Sequence, residues 1–278
     1  MKTKNKKTRA MLAISSLAFL LAACGTTPIT NHSSGLWDGL IVLNFSRAII
    51  WLADLFGGSY GMGIIVFTVI VKILLLPLMI FQTRSMQKTQ EIQPQLKALQ
   101  KKYSSRDRET MAKLQEEQQK LYSESGVHPL AGCLPLVVQL PIIWALYQAI
   151  SRTHVLRTGS FLWMNLGQPD PYFIMPILAA FFTFVTSWLS MKSQPESNAM
   201  STTMIVFMPI VIFFTALNVP SAISLYWVVT NVFQAFQTLL IQNPWKIQRD
   251  RDEKAQEEER RQREIRNAVR KAKRSKRK

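Results

Sequence analysis

Apolar stretches alternate with polar ones along the chain, and their lengths predict a helical membrane protein. The stretch from about Gly61 to Phe81 has the roughly 20 residues that a helix needs to cross a bilayer. Four later apolar stretches are joined by short loops: about Leu134–Ile150, Tyr172–Met191, Met204–Asn218 and Ile223–Ile241. The pattern therefore predicts an all-α, polytopic membrane protein with five transmembrane helices.

The segment Leu36–Phe56 is amphipathic rather than uniformly apolar. Its polar residues Asn44, Arg47 and Asp54 recur at helical spacing and fall on one face, opposite apolar residues. This arrangement favours a helix lying in the outer membrane interface over a further span.

The segment Arg84–Ser125 is polar and highly charged, with apolar residues every three or four positions. This spacing predicts two amphipathic helices, which a break at Ser104-Ser105 folds into an antiparallel hairpin. Pro94 should disturb the first of them. The apolar positions are Ile92, Leu96, Leu99 and Tyr103, then Met111, Leu114 and Leu121.

The charge distribution predicts the orientation of the spans. The chain has 278 residues, of which 48% are hydrophobic, yet its formal net charge is +17. The basic residues concentrate in the predicted hairpin and in the tail from Lys246 to Lys278, whereas the loop between Ser151 and Pro171 carries only Arg152 and Arg157. By the positive-inside rule, the hairpin and the C-terminus are cytoplasmic and this loop is outside.

The basic tail has two possible kinds of partner. A cytoplasmic Lys/Arg-rich segment can bind anionic lipid or serve topology alone. It can also bind the phosphates of RNA, and a ribosome is the RNA expected near a membrane.

The first residues resemble a bacterial lipoprotein signal peptide. A basic segment precedes the short apolar run Met11–Leu21, and Leu21-Ala-Ala-Cys24-Gly then matches a lipobox. This predicts cleavage before Cys24, lipidation of its thiol with a diacyl or palmitate-type anchor, and a mature N-terminus outside the cell.

Lys72 lies near the middle of the first predicted span. A charge at that depth costs about 2.5–3.5 kcal/mol on insertion scales. The other apolar segments contain no Asp or Glu that could pair with it. We therefore expect a water-filled cavity around this ammonium, and this cavity is the best indication of function.

Enzyme chemistry finds little support in the sequence. Gly57-Gly-Ser-Tyr-Gly61 matches a nucleophile pattern formally, but it lies in a turn without a nearby His. No P-loop and no cluster with metal-ligand spacing occurs, so neither an enzyme nor a cofactor is predicted. A small-solute or ion transporter that uses the intramembrane cation remains an alternative, although no inverted repeat is apparent.

Several motifs together resemble the YidC/Oxa/Alb family of membrane insertases, in its five-span Gram-positive lipoprotein form. They run in order from about Leu36 to Pro244: Ile92-Gln-Pro94, His128-Pro-Leu-Ala-Gly-Cys-Leu-Pro135 with Gln139-Leu-Pro141, Pro176-Ile-Leu-Ala, and Leu225-Tyr-Trp-Val-Val-Thr-Asn231.

The resemblance implies a hydrophilic groove in the membrane, open to the cytoplasm and to lipid and closed to the outside. Nascent membrane proteins would be its clients, with the ribosome, a Sec translocon and lipids as further partners. Lys72 stands where the family usually has arginine, and Thr186 where it commonly has glutamine. The groove residues implied are Lys72, Gln139, Thr183, Thr186, Trp227 and Asn231.

These expectations divide the chain into six segments. They are a signal peptide (1–23), a lipidated N-terminus with an outer interfacial helix (24–56), a first span (57–83), a cytoplasmic hairpin (84–128), the core of spans two to five (129–245) and a basic tail (246–278).

Overall fold

The computed structural model of the protein describes residues 27–105, 107–127, 134–193 and 199–275, and these are mostly helical. The signal peptide, Cys24 and the start of the second-span motif at 128–133 lie outside the described residues. The described chain forms two compact units. The first comprises residues 27–75, 134–180 and 211–230, and the second comprises the rest.

Thirteen helices and one short β-ribbon make up the described residues. In chain order they are α1 (Leu36–Val42, π-helical), α2 (Leu43–Leu55), α3 (Tyr60–Leu74), α4 (Leu76–Glu91), α5 (Gln93–Lys102), α6 (Arg108–Glu124), α7 (Leu134–Arg152), α8 (His154–Thr158), β1 (Ser160–Phe161), β2 (Met164–Asn165), α9 (Ile174–Lys192), α10 (Ala199–Ala216), α11 (Ser221–Gln237), α12 (Thr238–Gln242, π-helical) and α13 (Pro244–Ser275).

The first unit is built around the close packing of α2 on α3. Gly63 allows this approach, because a Cβ at that position would lie 2.5 Å from the carbonyl oxygen of Ile49. Phe45 and Phe67 pack edge to face beside it, with ring centroids 5.0 Å apart. The core of this unit extends from these helices to α7, the β-ribbon and the start of α11, and its fully buried members include Ile64, Leu146, Ile150, Leu156, Met164 and Leu166.

The β-ribbon in the loop after α8 is an element that the sequence did not predict. Its two strands pair antiparallel, and the ring of Phe161 lies over Gly61, where a Cβ would come within 2.0 Å of it. The buried carboxylate of Asp170 then accepts hydrogen bonds from Trp163 Nε1 (2.9 Å) and from the backbone N–H of Met175 (2.7 Å). Asp170 thereby satisfies a free N–H in the first turn of α9, and it fixes the loop to the start of that helix.

In the second unit, α5 and α6 pack against each other around Ile92 and Leu96, with Leu121 partly buried against them. The break between α4 and α5 falls at Ile92, two residues before Pro94. The carboxylate of Asp107 caps α6, since its Oδ1 accepts a hydrogen bond from the backbone N–H of Thr110 at 2.8 Å. The hydrogen bonds from Ser105 and Thr110 hold the pKa of Asp107 well below its ordinary value.

The tail forms one 32-residue helix, α13. Near its start, Arg251 donates a hydrogen bond to the backbone carbonyl of Ser193 (2.9 Å), just beyond the end of α9. Burial lowers the pKa of this guanidinium, while the charge of Glu91 acts in the opposite direction. A positive side chain at a helix C-terminus satisfies a free carbonyl and complements the helix dipole, so this contact attaches the tail to the second unit.

The first predicted span is broken rather than continuous. Helix α3 ends at Leu74 and α4 begins at Leu76, where the prediction had one helix over Gly61–Phe81. Pro77 explains the break, since it has no N–H to donate to the carbonyl of Ile73 and its ring clashes with that turn.

By length and composition, two helices of the described chain could cross a membrane, Leu36–Leu55 and Ile174–Lys192. Tyr60–Leu74 with Leu76–Lys102 counts as a third if it is taken as one broken span, and Ile205–Ala216 is a shorter apolar helix. Five spans therefore remain a prediction, and so does the interfacial position of Leu36–Phe56, whose helix is itself long and apolar enough to cross. Its polar residues Asn44, Arg47 and Asp54 are exposed, while Ile49 and Leu52 on the opposite face are buried.

Candidate functional site

Lys72 lies in the last turn of α3, in the first unit, with only 4% of its surface exposed. Its ammonium donates a hydrogen bond to Oε1 of Gln139 on α7 at 3.1 Å. The ion pairs among the described residues are Lys113–Glu109, Arg152–Asp38 and Arg263–Glu259, so none of them involves Lys72. Within the part of the chain that the structure describes, this cation is held by a neutral partner.

This geometry gives Lys72 a partner that the sequence did not indicate. The sequence predicted an ammonium surrounded by water, because no acidic partner was available in the spans. The structure buries the side chain and supplies a carboxamide oxygen, which satisfies one of its three N–H groups without neutralising the charge, and the water-filled cavity stays a prediction.

Gln139 is in turn held by Tyr226 on α11. Its Nε2 donates a hydrogen bond to the phenolic oxygen of Tyr226, whose side chain is 3% exposed and belongs to the core of the first unit. The first six residues of α11, from Ser221 to Tyr226, are all buried, which fixes the position of the phenol. Trp227, the next residue, is half-buried and packs against the same core.

The second unit contains a separate group of neutral polar side chains. Asn231 donates from Nδ2 to Oγ1 of Thr183 (3.1 Å), and its Oδ1 lies 3.1 Å from the hydroxyl of Thr186. Thr186 is 6% exposed, and its hydroxyl also lies 3.0 Å from the carbonyl oxygen of Phe182. These bonds join α9 to α11, as interhelical hydrogen bonds do in membrane proteins.

The six predicted site residues thus fall into two groups. Lys72, Gln139 and Trp227 belong to the first unit, where Lys72 and Gln139 are directly bonded. Thr183, Thr186 and Asn231 belong to the second unit and bond to one another. Their membership of a groove remains a prediction.

Sequence reasoning missed the role of Tyr226, although the residue stands inside the motif Leu225-Tyr-Trp227. It singled out Trp227 because that side chain matched a family position, and nothing in the spacing indicated a phenol facing Gln139. Burial of the first turns of α11 is the signal that could have indicated it. A phenolic hydroxyl inside an apolar core requires a hydrogen-bond partner.

Sequence reasoning also missed a second buried cation in the first unit, Arg152 at the end of α7. Its guanidinium forms a bidentate pair with Asp38 (2.9 and 2.6 Å), and it also donates to Gln148 Oε1 (2.8 Å) and to the carbonyl oxygen of Thr27 (2.7 Å). Arg152 was noted only as a charge of the predicted outer loop, and Asp38 lies 114 positions away from it. No local pattern could have paired them.

A metal centre has no support in the described residues, which contain no group of three or more His, Cys, Asp or Glu side chains able to hold an ion. The groups brought together at Lys72 are an ammonium, a carboxamide and a phenol. Such a set can bind and release an anionic group by hydrogen bonding and charge, and it offers no activated nucleophile.

Comparisons with known proteins agree with this architecture. The 60Kd inner membrane protein family matches residues 51–250. The membrane protein insertase YidC of Pediococcus pentosaceus is 61% identical over 90% of both chains, and YidC 2 of Lactiplantibacillus plantarum is 62% identical over 91% of both. YidC of Enterococcus faecalis is 54% identical over 95% of this chain and 96% of that one.

Among solved structures, the chain is similar to an active YidC insertase whose crystal structure includes the first transmembrane domain. The TM-score is 0.58 at 29% identity, over 74% of this chain, and the match spans about half (47%) of the solved chain. With a family match across residues 51–250 and relatives above 60% identity over nearly the full length, the chain belongs to the YidC/Oxa/Alb family of membrane protein insertases.

Proposed function

We propose that this protein inserts membrane proteins into the bacterial cell membrane and helps them fold, without ATP, through a hydrophilic groove centred on Lys72. The observation that carries the proposal is the buried ammonium, whose bonded partner among the described residues is the neutral Gln139. A protein gains no stability from keeping such a charge in a span, so a ligand that arrives during function accounts for it best. The relatives' insertase names support the identity of that ligand as a nascent membrane protein.

The proposed cycle begins when a single-span client presents a short acidic outer segment from the cytoplasm. At 4 Å and an effective dielectric constant of about 20, Lys72 and one carboxylate attract by up to about 4 kcal/mol, less the cost of desolvation. Polar side chains, including the predicted groove residues Thr183, Thr186 and Asn231, would shorten the apolar barrier that this segment must cross.

The main driving force is transfer of the client's helix into lipid. Each strongly apolar residue contributes about −0.3 to −0.6 kcal/mol at the helix centre, which gives several kcal/mol for a whole span. A membrane potential that is negative inside adds about 2.3 kcal/mol for each negative charge moved outward per 100 mV. Lys72 therefore lowers the barrier, and no hydrolysis step is required.

The decisive experiment reconstitutes the pure protein in liposomes with two single-span clients that differ only in an acidic or a neutral outer tail. Lys72→Arg should preserve insertion of the acidic client, since it retains the charge. Lys72→Gln should reduce that insertion about tenfold, equivalent to roughly 1.4 kcal/mol in the barrier.

Equal activity of the two variants on the acidic client would remove the electrostatic role of Lys72. Solute flux through the same liposomes tests the transporter alternative. If an anion flux depended on Lys72 while neither client inserted, the proposal would fail in favour of a transporter.

We place the protein in the membrane with five spans, a lipidated Cys24 outside and the tail in the cytoplasm. The charge asymmetry between loops and tail supports this orientation, and the lipobox supports the anchor. The Sec translocon and anionic lipids are proposed partners on the basis of the family.

The tail is proposed to bind the ribosome through the distal part of α13. Residues 250–259 carry six acidic and two basic side chains, whereas residues 260–278 carry eleven Lys or Arg and one Glu. Because Arg251 attaches the start of α13 to the second unit, the basic part begins about two and a half helical turns beyond the attachment, where it can reach RNA phosphates.

Removing residues 260–278 should therefore weaken co-sedimentation with ribosomes at low salt, and added salt should abolish the difference from the full chain. A matched variant that exchanges the acidic residues of 250–259 for glutamine should bind ribosomes no less well. Unchanged binding after the truncation would refute the assignment of the tail.

A further inference from the structure

Gln139 has a defined orientation between Lys72 and Tyr226. An ammonium can only donate hydrogen bonds, so it must face the oxygen of a carboxamide and never the nitrogen. Here Oε1 of Gln139 accepts from Lys72 at 3.1 Å, while Nε2 donates to the phenolic oxygen of Tyr226. The ammonium therefore selects which end of the amide faces it, and the phenol fixes the position of the other end.

The phenol can do this because its own position is fixed. Tyr226 is 3% exposed and packs in the same core as Ile64 and Phe67, which are on the helix that carries Lys72. The three side chains come from three helices, α3, α7 and α11, yet all belong to the first unit. The amide is thus held by rigid surroundings rather than by a flexible loop.

We infer that Gln139, positioned by Tyr226, is a neutral placeholder: it accepts the hydrogen bond of the Lys72 ammonium when no client is bound, and a carboxylate of the client displaces it. The inference rests on the proposed function and adds two roles to it. Gln139 is the exchangeable ligand of the cation, and Tyr226 is a positioning residue that acts through Gln139.

The chemistry of the three groups explains why the resting partner is an amide. Hydrogen bonds between two charged groups are roughly twice as strong as those between neutral groups, so an arriving carboxylate can compete with a neutral oxygen. A fixed carboxylate at position 139 would neutralise the ammonium permanently and leave the client nothing to displace. An apolar residue there would leave the cation without a defined position.

The central test is Gln139→Glu, measured as the ratio of acidic-client to neutral-client insertion in liposomes. We expect this ratio to fall about tenfold, toward the value of Lys72→Gln, because the new carboxylate occupies the ammonium. The thermal midpoint in detergent should not fall, since the new residue can bond to both Lys72 and Tyr226. Gln168→Glu is the matched control, as it adds the same charge on an exposed side chain of the outer loop and should leave the ratio unchanged.

Tyr226 is tested by a double-mutant cycle, which does not depend on how Gln139→Glu folds. Tyr226→Phe keeps the buried ring and removes the hydroxyl, and it should lower the client ratio about two- to threefold. In a Gln139→Leu background the same substitution should have no further effect, because the phenol then has no amide to orient. A merely structural hydroxyl would lower the insertion of both clients in both backgrounds.

The outcomes separate this inference from the proposed function. If Lys72→Gln does not change the client ratio, the electrostatic role of Lys72 fails and the placeholder fails with it. If Lys72→Gln lowers the ratio but Gln139→Glu keeps it at the wild-type value, only the placeholder is overturned. If the effect of Tyr226→Phe persists without Gln139, the positioning role is overturned.

Discussion

The first unit contains two buried cations, and their hydrogen-bond partners differ. Arg152 is 8% exposed and donates to a carboxylate, a carboxamide and a backbone carbonyl. Lys72 is 4% exposed and donates to one carboxamide. The two cations are therefore similarly buried, but they differ in their hydrogen bonds. Among the described residues, the guanidinium of Arg152 has several partners, whereas the ammonium of Lys72 has one.

The difference is the one expected between a structural charge and the functional charge that we propose. The planar guanidinium suits a fixed bidentate pair, and its bonds to Asp38 and Thr27 tie α1 and the N-terminal segment to the end of α7. Among the described residues the ammonium has one neutral partner, which stabilises it little, so two of its N–H groups and its charge can serve the ligand that we propose. Removing each cation should therefore affect different properties of the protein.

The largest expected effect is on stability, from Arg152→Gln. Breaking a buried ion pair leaves the other charge without compensation and typically costs about 3–5 kcal/mol; Asp38 is partly exposed, so we expect a value near the lower end, about 3 kcal/mol. The measurement is the thermal midpoint of the purified protein in detergent. Arg157→Gln, at an exposed arginine of the following helix, is the control and should change the midpoint little.

The double variant Arg152→Gln with Asp38→Asn should recover part of the lost stability, because no unpaired charge then remains. If Arg152→Gln leaves the midpoint where Arg157→Gln does, the pair with Asp38 is not the structural element we describe.

The second effect has the opposite sign on stability. Lys72→Met replaces the buried ammonium by an apolar side chain of similar length, and it should raise the free energy of unfolding by about 1 kcal/mol while lowering insertion of an acidic client. Unfolding in detergent and insertion in liposomes measure the two properties on the same preparation. A loss of stability comparable to that of Arg152→Gln would show that Lys72, too, is a structural charge.

The two cations also show what the sequence could predict and what it could not. Lys72 was recognisable because a lysine inside an apolar stretch is exceptional whatever the fold. Gln139 was recognisable as a groove residue only through resemblance, and its bond to Lys72 was not predicted, since the two lie 67 positions apart and hydropathy does not indicate which helices are neighbours. Arg152 and Asp38 are each ordinary charges near the predicted ends of apolar segments, so only the packing of α1 against α7 identifies them as a pair.

Most of the apolar helices were predictable from the sequence to within a few residues, but some of the interruptions were not. Pro77 was visible in the sequence, yet the apolar run continued past it and suggested one span. The β-ribbon was invisible because two-residue strands carry no alternation. Pro94, by contrast, stood among polar residues, where a break in the helix was the simplest expectation, and the break lies beside it.

The smallest effect concerns a charge that lies on the surface, and it shows by contrast how much burial matters. Asp107→Asn should slightly destabilise α6, because the hydrogen bonds from Thr110 and Ser105 favour the ionised carboxylate and hold its pKa below the ordinary value. A pKa that is lower in the folded state contributes stability above the unfolded pKa, about 3.9, and this contribution is lost as the pH falls through the folded value. The protection factors of the α6 amides, which are corrected for the intrinsic pH dependence of exchange, should therefore fall on acidification in the wild type. The Asn variant should show lower protection at neutral pH with a weaker pH dependence, whereas Asp252→Asn in α13 should leave α6 unchanged. Equal protection of α6 in the wild type and in Asp107→Asn would show that solvent screens the cap completely. The effect of a charge on stability would then depend on its partners only at the two buried cations of the first unit.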